Sequence, residues 1–298
     1  MKCKKCDKEA LESGFCRNHF VDYLENKIRK TIRKYKLFRK DDKIAVAVSG
    51  GKDSTVLLYI LHKLGYNVEG ITVDAKIGNY TKVNLENLRS VCKKQDIPLK
   101  EISFRDEFGY SLCYIRDVLK SKGYPYSSCT ICGILRRYLL NKHSKGFDVI
   151  ATGHNLDDES QAFLMNIFRN DSVVVKRQGP ISGIGVSKGF VRRVKPLFEV
   201  MEKEVIQYSK LHDFPVNYED CPCSVNAYRK NFRKFLDEFE EKHPDVKYNI
   251  MNFFMENFYV SEKEENMDIN KCSTCGEPAS NEKCKVCVIL GELKDPKP

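Results

Sequence analysis

Residues 43 to 64 constrain the fold of this 298-residue chain more than any other stretch. Lys43 to Val48 is a short apolar run rich in β-branched residues, the pattern of a strand buried on both faces. It passes directly into Ser49, Gly50, Gly51, Lys52, Asp53 and Ser54, and then into a helical stretch from Thr55 to Leu64. Strand, glycine loop and helix in that order turn free backbone N–H groups and the positive end of a helix dipole toward an anion. The loop is not a Walker A loop, because no glycine stands at the required distance before Lys52. Further strands are expected at Asn67 to Val73, Leu99 to Ser103 and Asp148 to Thr152, with a helix from Thr81 to Gln95 and another after Glu159. Such alternation predicts an α/β fold with a parallel sheet. Ligands of open parallel sheets lie beyond the carboxyl ends of the strands. The Ser49 to Ser54 loop and the Gly153 to Asp158 loop are therefore expected to face one nucleotide pocket, with Asp157 and Asp158 available to hold Mg2+ on phosphates.

The two ends of the chain carry a different chemistry. Thirteen cysteines would suggest disulfides in a short secreted scaffold, but a 42% hydrophobic fraction in a chain of this length builds a core without staples. The amino end, Met1 to Lys8, is polar, and no apolar run is long enough to span a membrane, so the cytoplasm is expected and no membrane partner. Metal is the better account of the cysteines. Cys272, Cys275, Cys284 and Cys287 form two CxxC knuckles eight residues apart, a closed four-thiolate set suited to Zn2+. At the other end, Cys3 and Cys6 are followed after nine residues by Cys16 and then His19, a three-thiolate, one-imidazole set for a second Zn2+. Neither set leaves an open position, so both are expected to be structural. Cys92 and Cys113 stand alone and read as small buried hydrophobes.

The middle cysteines, Cys129 and Cys132 with Cys221 far downstream, suit an iron–sulfur cluster. Three thiolates leave one iron vacant for substrate sulfur, where four would make an electron carrier. Cys223 is a possible substitute for Cys221 or a persulfide carrier.

SGGKDS is similar to the PP-loop of ATP pyrophosphatases, which cleave ATP between the α and β phosphates. Together with the amino-terminal knuckle, SxCxxCG followed by Arg136 and Arg137, GHNxDD, the Asp220 to Pro222 sequence and the terminal double CxxC, it resembles the TtuA/NcsA group of tRNA 2-thiouridine synthetases, relatives of TtcA. The resemblance implies a Rossmann-like PP-loop domain of the N-type ATP pyrophosphatases, flanked by two small zinc-finger domains, and a homodimer. It implies one 4Fe-4S cluster on Cys129, Cys132 and Cys221, and an adenylate pocket of Ala47, Ser49, Asp53, Ser54, Val73 and Gly153 for ATP. It also places a functional basic residue at Arg136, where charge stabilisation suits an arginine that stays protonated. The expected division is an amino-terminal finger over 1–24, a catalytic domain over 25–220, a helical extension over 221–265 with the third cluster ligand, and a carboxyl-terminal finger over 266–298.

A net charge of +10 fits an RNA substrate. Basic residues crowd a helix expected from Leu24 to Arg39 (Lys27, Arg29, Lys30, Arg33, Lys34, Lys36), a stripe at Arg192, Arg193 and Lys195, and a third at Arg229, Lys230, Arg233 and Lys234. The acidic runs Glu238 to Glu241 and Glu262 to Glu265 are expected away from RNA, the second as a linker. The expected reaction adenylates the C2 oxygen of a tRNA uridine and replaces it with sulfur delivered through the cluster, with Cys129 and Cys132 at the reacting centre and Asp158 and Arg136 managing proton and phosphate charge. The sulfur donor, a ubiquitin-like carrier, a persulfide or free sulfide, stays open. The rivals are a lysidine-type enzyme in which an amine displaces AMP and the cysteines are structural only, and a non-catalytic RNA-binding module with a vestigial ATP fold.

Overall fold

The first strand lies in the middle of the sheet, where its composition requires it to be. The computed structural model describes residues 2–182, 189–224, 227–260 and 270–294. In chain order the elements are α1 (Arg17–Lys34), β1 (Lys43–Ala47), α2 (Lys52–Lys63), β2 (Asn67–Asp74), α3 (Gly78–Lys94) and β3 (Leu99–Ser103). Then come α4 (Phe104–Phe108), α5 (Leu112–Ser121), α6 (Ser128–His143), β4 (Val149–Thr152), α7 (Leu156–Phe168) and α8 (Ser172–Lys176). The remainder are β5 (Ile181–Ser182), β6 (Arg192–Val194), α9 (Glu202–Leu211), α10 (Tyr228–Lys242), α11 (Val246–Asn257), β7 (Asn270–Lys271), β8 (Pro278–Ala279) and α12 (Lys285–Lys294).

The main sheet runs β3-β2-β1-β4-β6-β5, parallel except for β5 at its edge. Successive residues of β1 point to opposite faces. Ile44 and Val46 enter a core built with α1, α2 and α9, while Ala45 enters a second core with α5 and α6. Strand order turns back at β1, with β2 on one side and β4 on the other, which opens the switch-point crevice beside the ends of β1 and β4.

Both ends are continuous with these cores. α1 begins at Arg17, directly after Cys16, so His19 lies in its first turn and Phe20 in the first core. It ends at Lys34 rather than Arg39, because Lys36 takes the left-handed conformation (φ 47°) and Leu37 and Phe38 fold back into the interior. Val286, Ile289 and Leu293 of α12 pack into the second core. The acidic run Glu262 to Glu265 lies outside the described residues. No described helix is long and apolar enough to cross a membrane.

One buried charge cluster ties α11 to α7 and α10. Lys247, its side chain 2% exposed, meets Asp157 at 2.5 Å, Glu240 at 2.6 Å and Asp237 at 2.7 Å. Burial opposes its charge, yet the three carboxylates raise its pKa above the ordinary range. Removing one partner of a buried pair strands the other, at about 3–5 kcal/mol. Lys247→Met is expected to lose about that much stability in urea unfolding, and a loss below about 1 kcal/mol would show the cluster to be ornamental.

Candidate active site and metal centres

Ser49 to Ser54 forms a tight loop at the end of β1. Gly50 has φ 80°, and a β-carbon there would lie 2.3 Å from the Asn84 carbonyl oxygen, so only glycine fits. The Ser49 amide donates to Ser54 Oγ at 3.1 Å, and Ser54 Oγ donates to the Gly51 carbonyl at 3.2 Å. No side chain caps α2, which leaves its first-turn amides and dipole for an anion. Gly153, at the end of β4, packs directly on this turn: a β-carbon there would come within 2.9 Å of the Ser54 amide nitrogen and 3.0 Å of the Asp53 carbonyl carbon. Both neighbours are backbone and cannot swing aside as the tip of a side chain can. Gly153→Ala is expected to push α2 outward and weaken ATP binding about ten-fold or more, as a misplacement near 1 Å does; titration calorimetry checks this. Ala47 ends β1, and Val73 is buried near the end of β2.

The two carboxylates of GHNxDD part company. Asp157 is buried, bound to Lys247 and accepting the Glu202 amide at 2.7 Å, so it does not face the phosphate loop as expected. Asp158 closes a capping box with Asn155 and meets Arg229 at 3.2 Å. Asn155 in turn donates to Asp53 at 2.9 Å. Burial, and then the nearby Asp158, raise the Asp53 pKa, while Lys52 at 3.1 Å opposes them. Asp53 and Asp158 thus act on each other at the phosphate loop. Lys52 also meets Glu202 at 2.6 Å; burial opposes its charge, but Asp53 and Glu202 raise its pKa. Arg233 grips both Glu202 oxygens at 2.8 Å. Glu202 and Asn155 were not among the expected site residues; Asn155 lies inside a motif that pointed to it, whereas nothing local marks Glu202.

A cleft of about 800 Å³ opens over Lys52 and Asp53 and is bordered by Tyr80, Asp220, Lys230 and Arg233. Glu238 and Glu241 border it too, so the first acidic run lies beside the nucleotide loop. A parallel bridge joins Gly51 to Asn217, and four residues further on the chain reaches Cys221. Cys221 and Arg136 both act electrostatically on Tyr80, a residue of the cleft's border.

Cys129 is exposed, and Cys132 and Cys221 are half-buried. Burial raises the Cys132 thiol, Arg136 beside it pulls it down, and Cys221 raises it again. Burial raises Cys129 as well, with Cys221 and Cys132 adding to it. Arg136 keeps its Nε buried without a hydrogen-bond partner among the described residues. The three thiols are coupled, yet they are not gathered within 4.8 Å as the terminal sets are. That wider, all-sulfur arrangement fits a polynuclear iron–sulfur cluster better than a single ion. Cys223 is half-buried, and burial, with Cys221 and Cys113 adding to it, pushes its thiol up to about 11. Cys113 is only half-buried, so it is not the core cysteine expected from its isolation; Cys92 is, with burial pushing its thiol to about 11.

Both terminal sets converge. In each, four ligand atoms lie within 4.8 Å of one another. Cys3 Sγ lies 3.3 Å and Cys16 Sγ 3.4 Å from His19 Nδ1, Cys6 lies 3.7 Å from Cys16, and Cys275 lies 3.8 Å from Cys284. Metal–sulfur bonds of about 2.3 Å in a tetrahedron set edges of about 3.8 Å, so both fit a tetrahedral ion. Burial opposes the Cys3 thiolate, but amides from Lys5 and Cys16 hold its pKa at about 6; the Cys284 amide does the same for Cys272, also about 6.

Much of the basic charge is already spent inside the protein. Lys195, expected in an RNA stripe, is buried against Glu159 at 2.7 Å. Lys27 pairs with Glu204, Lys34 with Glu199, and Lys230 with Asp220. Lys30, Arg33, Lys36 and Arg39 remain exposed on and after α1.

A parallel sheet whose first strand ends in this loop defines a PP-loop nucleotide site. The PP-loop domain profile matches residues 22–237. The chain is 36% identical over 304 residues to the tRNA-5-methyluridine(54) 2-sulfurtransferase of Pyrococcus horikoshii, covering 99% of this chain and 95% of that one. It is 34% identical over 294 residues to cytoplasmic tRNA 2-thiolation protein 1 of Drosophila mojavensis, covering 94% and 82%. The solved U34-tRNA thiolase NcsA from Methanococcus maripaludis, with its 4Fe-4S cluster, matches at a TM-score of 0.78 and 29% identity over 100% of this chain and 98% of that one. The chain belongs to the PP-loop family and, within it, to the TtuA/NcsA group.

Proposed function

We propose that this protein is an ATP-dependent tRNA 2-sulfurtransferase. One observation carries the reading: the Asn217 to Cys221 segment runs from the PP-loop, where Asn217 bridges Gly51, to the third thiol of the central cysteines. An adenylating site and a sulfur-handling site then share one cleft.

Ser49 to Ser54 and the α2 amides cradle the ATP phosphates, and Asp53 with Asp158 would hold Mg2+, which would supply positive charge for those phosphates. The uridine C2 oxygen attacks the α-phosphorus; the bond between the α-phosphorus and its bridging oxygen breaks, and pyrophosphate leaves. Lys52 and Arg233 balance the charge that builds on the leaving phosphates, exchanging their hold on Glu202 for it. A poor leaving oxygen is now part of AMP, and sulfur added at C2 expels it with that oxygen attached. Cys129, Cys132 and Cys221 would hold the 4Fe-4S cluster, which supplies an iron site for the incoming sulfur. Arg136, beside Cys132, steadies negative charge there because it stays protonated. The terminal sets would hold two Zn2+ as closed structural shells. A homodimer in the cytoplasm, supplied with sulfur by a carrier protein, a persulfide or free sulfide, completes the proposal.

Mass spectrometry of tRNA nucleosides from cells with and without the gene, mapped to position, tests it. Loss of 2-thiouridine at one position, wobble or T-loop, is expected. Undiminished thiolation would refute the function.

A further inference from the structure

A second groove, of about 220 Å³, lies on the other side of α6 between β6 and the carboxyl-terminal module. Arg137 and Arg193 line it, with Asn141 and Phe190 on its walls and Lys285, the first residue of α12, at its rim. Arg193 donates to the Arg137 backbone carbonyl at 2.9 Å, and the Arg137 charge is near enough to act on it. Arg137 lies folded over Gly133, where a β-carbon would come within 3.0 Å of its Nη1. Neither arginine meets a carboxylate among the described residues. The groove's acid, Glu277, is already bound by Lys145. Arg137 is open to solvent at the groove mouth, but the surrounding walls lower its pKa, with Cys132 opposing. Burial, and then Arg137 beside it, push Arg193 down to about 10.

Two neighbouring like charges with no carboxylate between them attract an anion to the groove they line. Planar guanidinium forks match phosphate oxygens. A groove of this size admits a phosphodiester and its sugar edge but not a whole nucleotide. Phe190, 44% exposed, offers an apolar face beside it. Arg137 also acts on Cys132, so an anion held here lies within one side chain of the central thiols.

We infer that this groove takes one phosphodiester of the RNA substrate, clamped by Arg137 and Arg193. The inference rests on the tRNA-thiolation reading. It assigns to the Arg192 to Lys195 stripe a single phosphate site, made by Arg193 together with a helix from elsewhere in the chain, and excludes Lys195, which is buried.

The test uses the full-length protein and unmodified tRNA, with affinity measured by fluorescence anisotropy across a salt series. Arg137→Gln and Arg193→Gln are each expected to weaken binding about five- to ten-fold and to reduce the slope of log affinity against log salt by about one. ATP affinity should be unchanged, since the nucleotide loop is elsewhere. Arg193→Lys, which keeps the charge and loses the fork, should recover most of the slope but only part of the affinity, which a misfolded protein would not do. Wild-type affinity and slope in both glutamine variants would overturn the inference even if the wild-type protein thiolates tRNA. Conversely, failure of the wild-type protein to form 2-thiouridine would refute the function and leave the RNA contact readable from binding alone.

Discussion

Cys132→Ser protein is expected to bind ATP and tRNA normally yet form no 2-thiouridine. Cys132 lies at the boundary of the second core, beside Arg136 and within electrostatic reach of Cys221 and Cys129. In the proposed reading its thiolate is one of three ligands of the cluster, so an oxygen in its place should release it. Loss of groups that merely orient metal ligands costs about 10–100-fold, and loss of a ligand should exceed that range. Thiolation should therefore fall by more than about 100-fold, with the iron absorption lost in parallel. Full thiolation by this variant would mean that the cysteines are structural and that another nucleophile acts.

Asp53→Ala should separate the other half of the site. Asp53 is held between Lys52 and Asn155 at the start of α2, where burial and Asp158 disfavour its charge. Such a group is kept against its own stability, as functional residues often are. AMP formation in the presence of tRNA is expected to drop by about 100-fold or more. The iron spectrum should be unchanged and the melting temperature equal or higher, which distinguishes a lost magnesium ligand from a damaged fold. Unaltered AMP release would show that the nucleotide lies elsewhere.

What could be read from the chain depended on how local each interaction is. β1, its glycine loop and α2 were legible because one short segment carries strand pattern, turn and helix together. The two terminal metal sets were legible because all four ligands lie close in sequence. Asp157 and Asp158 were not distinguishable: neighbours on a helix point about 100° apart, and only the fold shows that Asp157 meets Lys247 while Asp158 meets Arg229. Glu202 reaches Lys52 and Arg233 across long sequence separations, and no local pattern marks it. β5 and β6 have two and three residues, too few for a periodic signal. The basic stripes looked like one surface because charge counts ignore partners; Lys195 and Lys27 were already committed to Glu159 and Glu204. α1 began earlier than its basic run suggested because His19 binds with the knuckle from inside its first turn.

The central claim is that the uridine C2 oxygen is activated on ATP and leaves with AMP. It is tested most directly with tRNA carrying heavy oxygen at that position, incubated anaerobically with cluster-loaded protein, ATP and sulfide. One labelled AMP for each 2-thiouridine formed is the predicted result. Unlabelled AMP accompanying thiolation would contradict it.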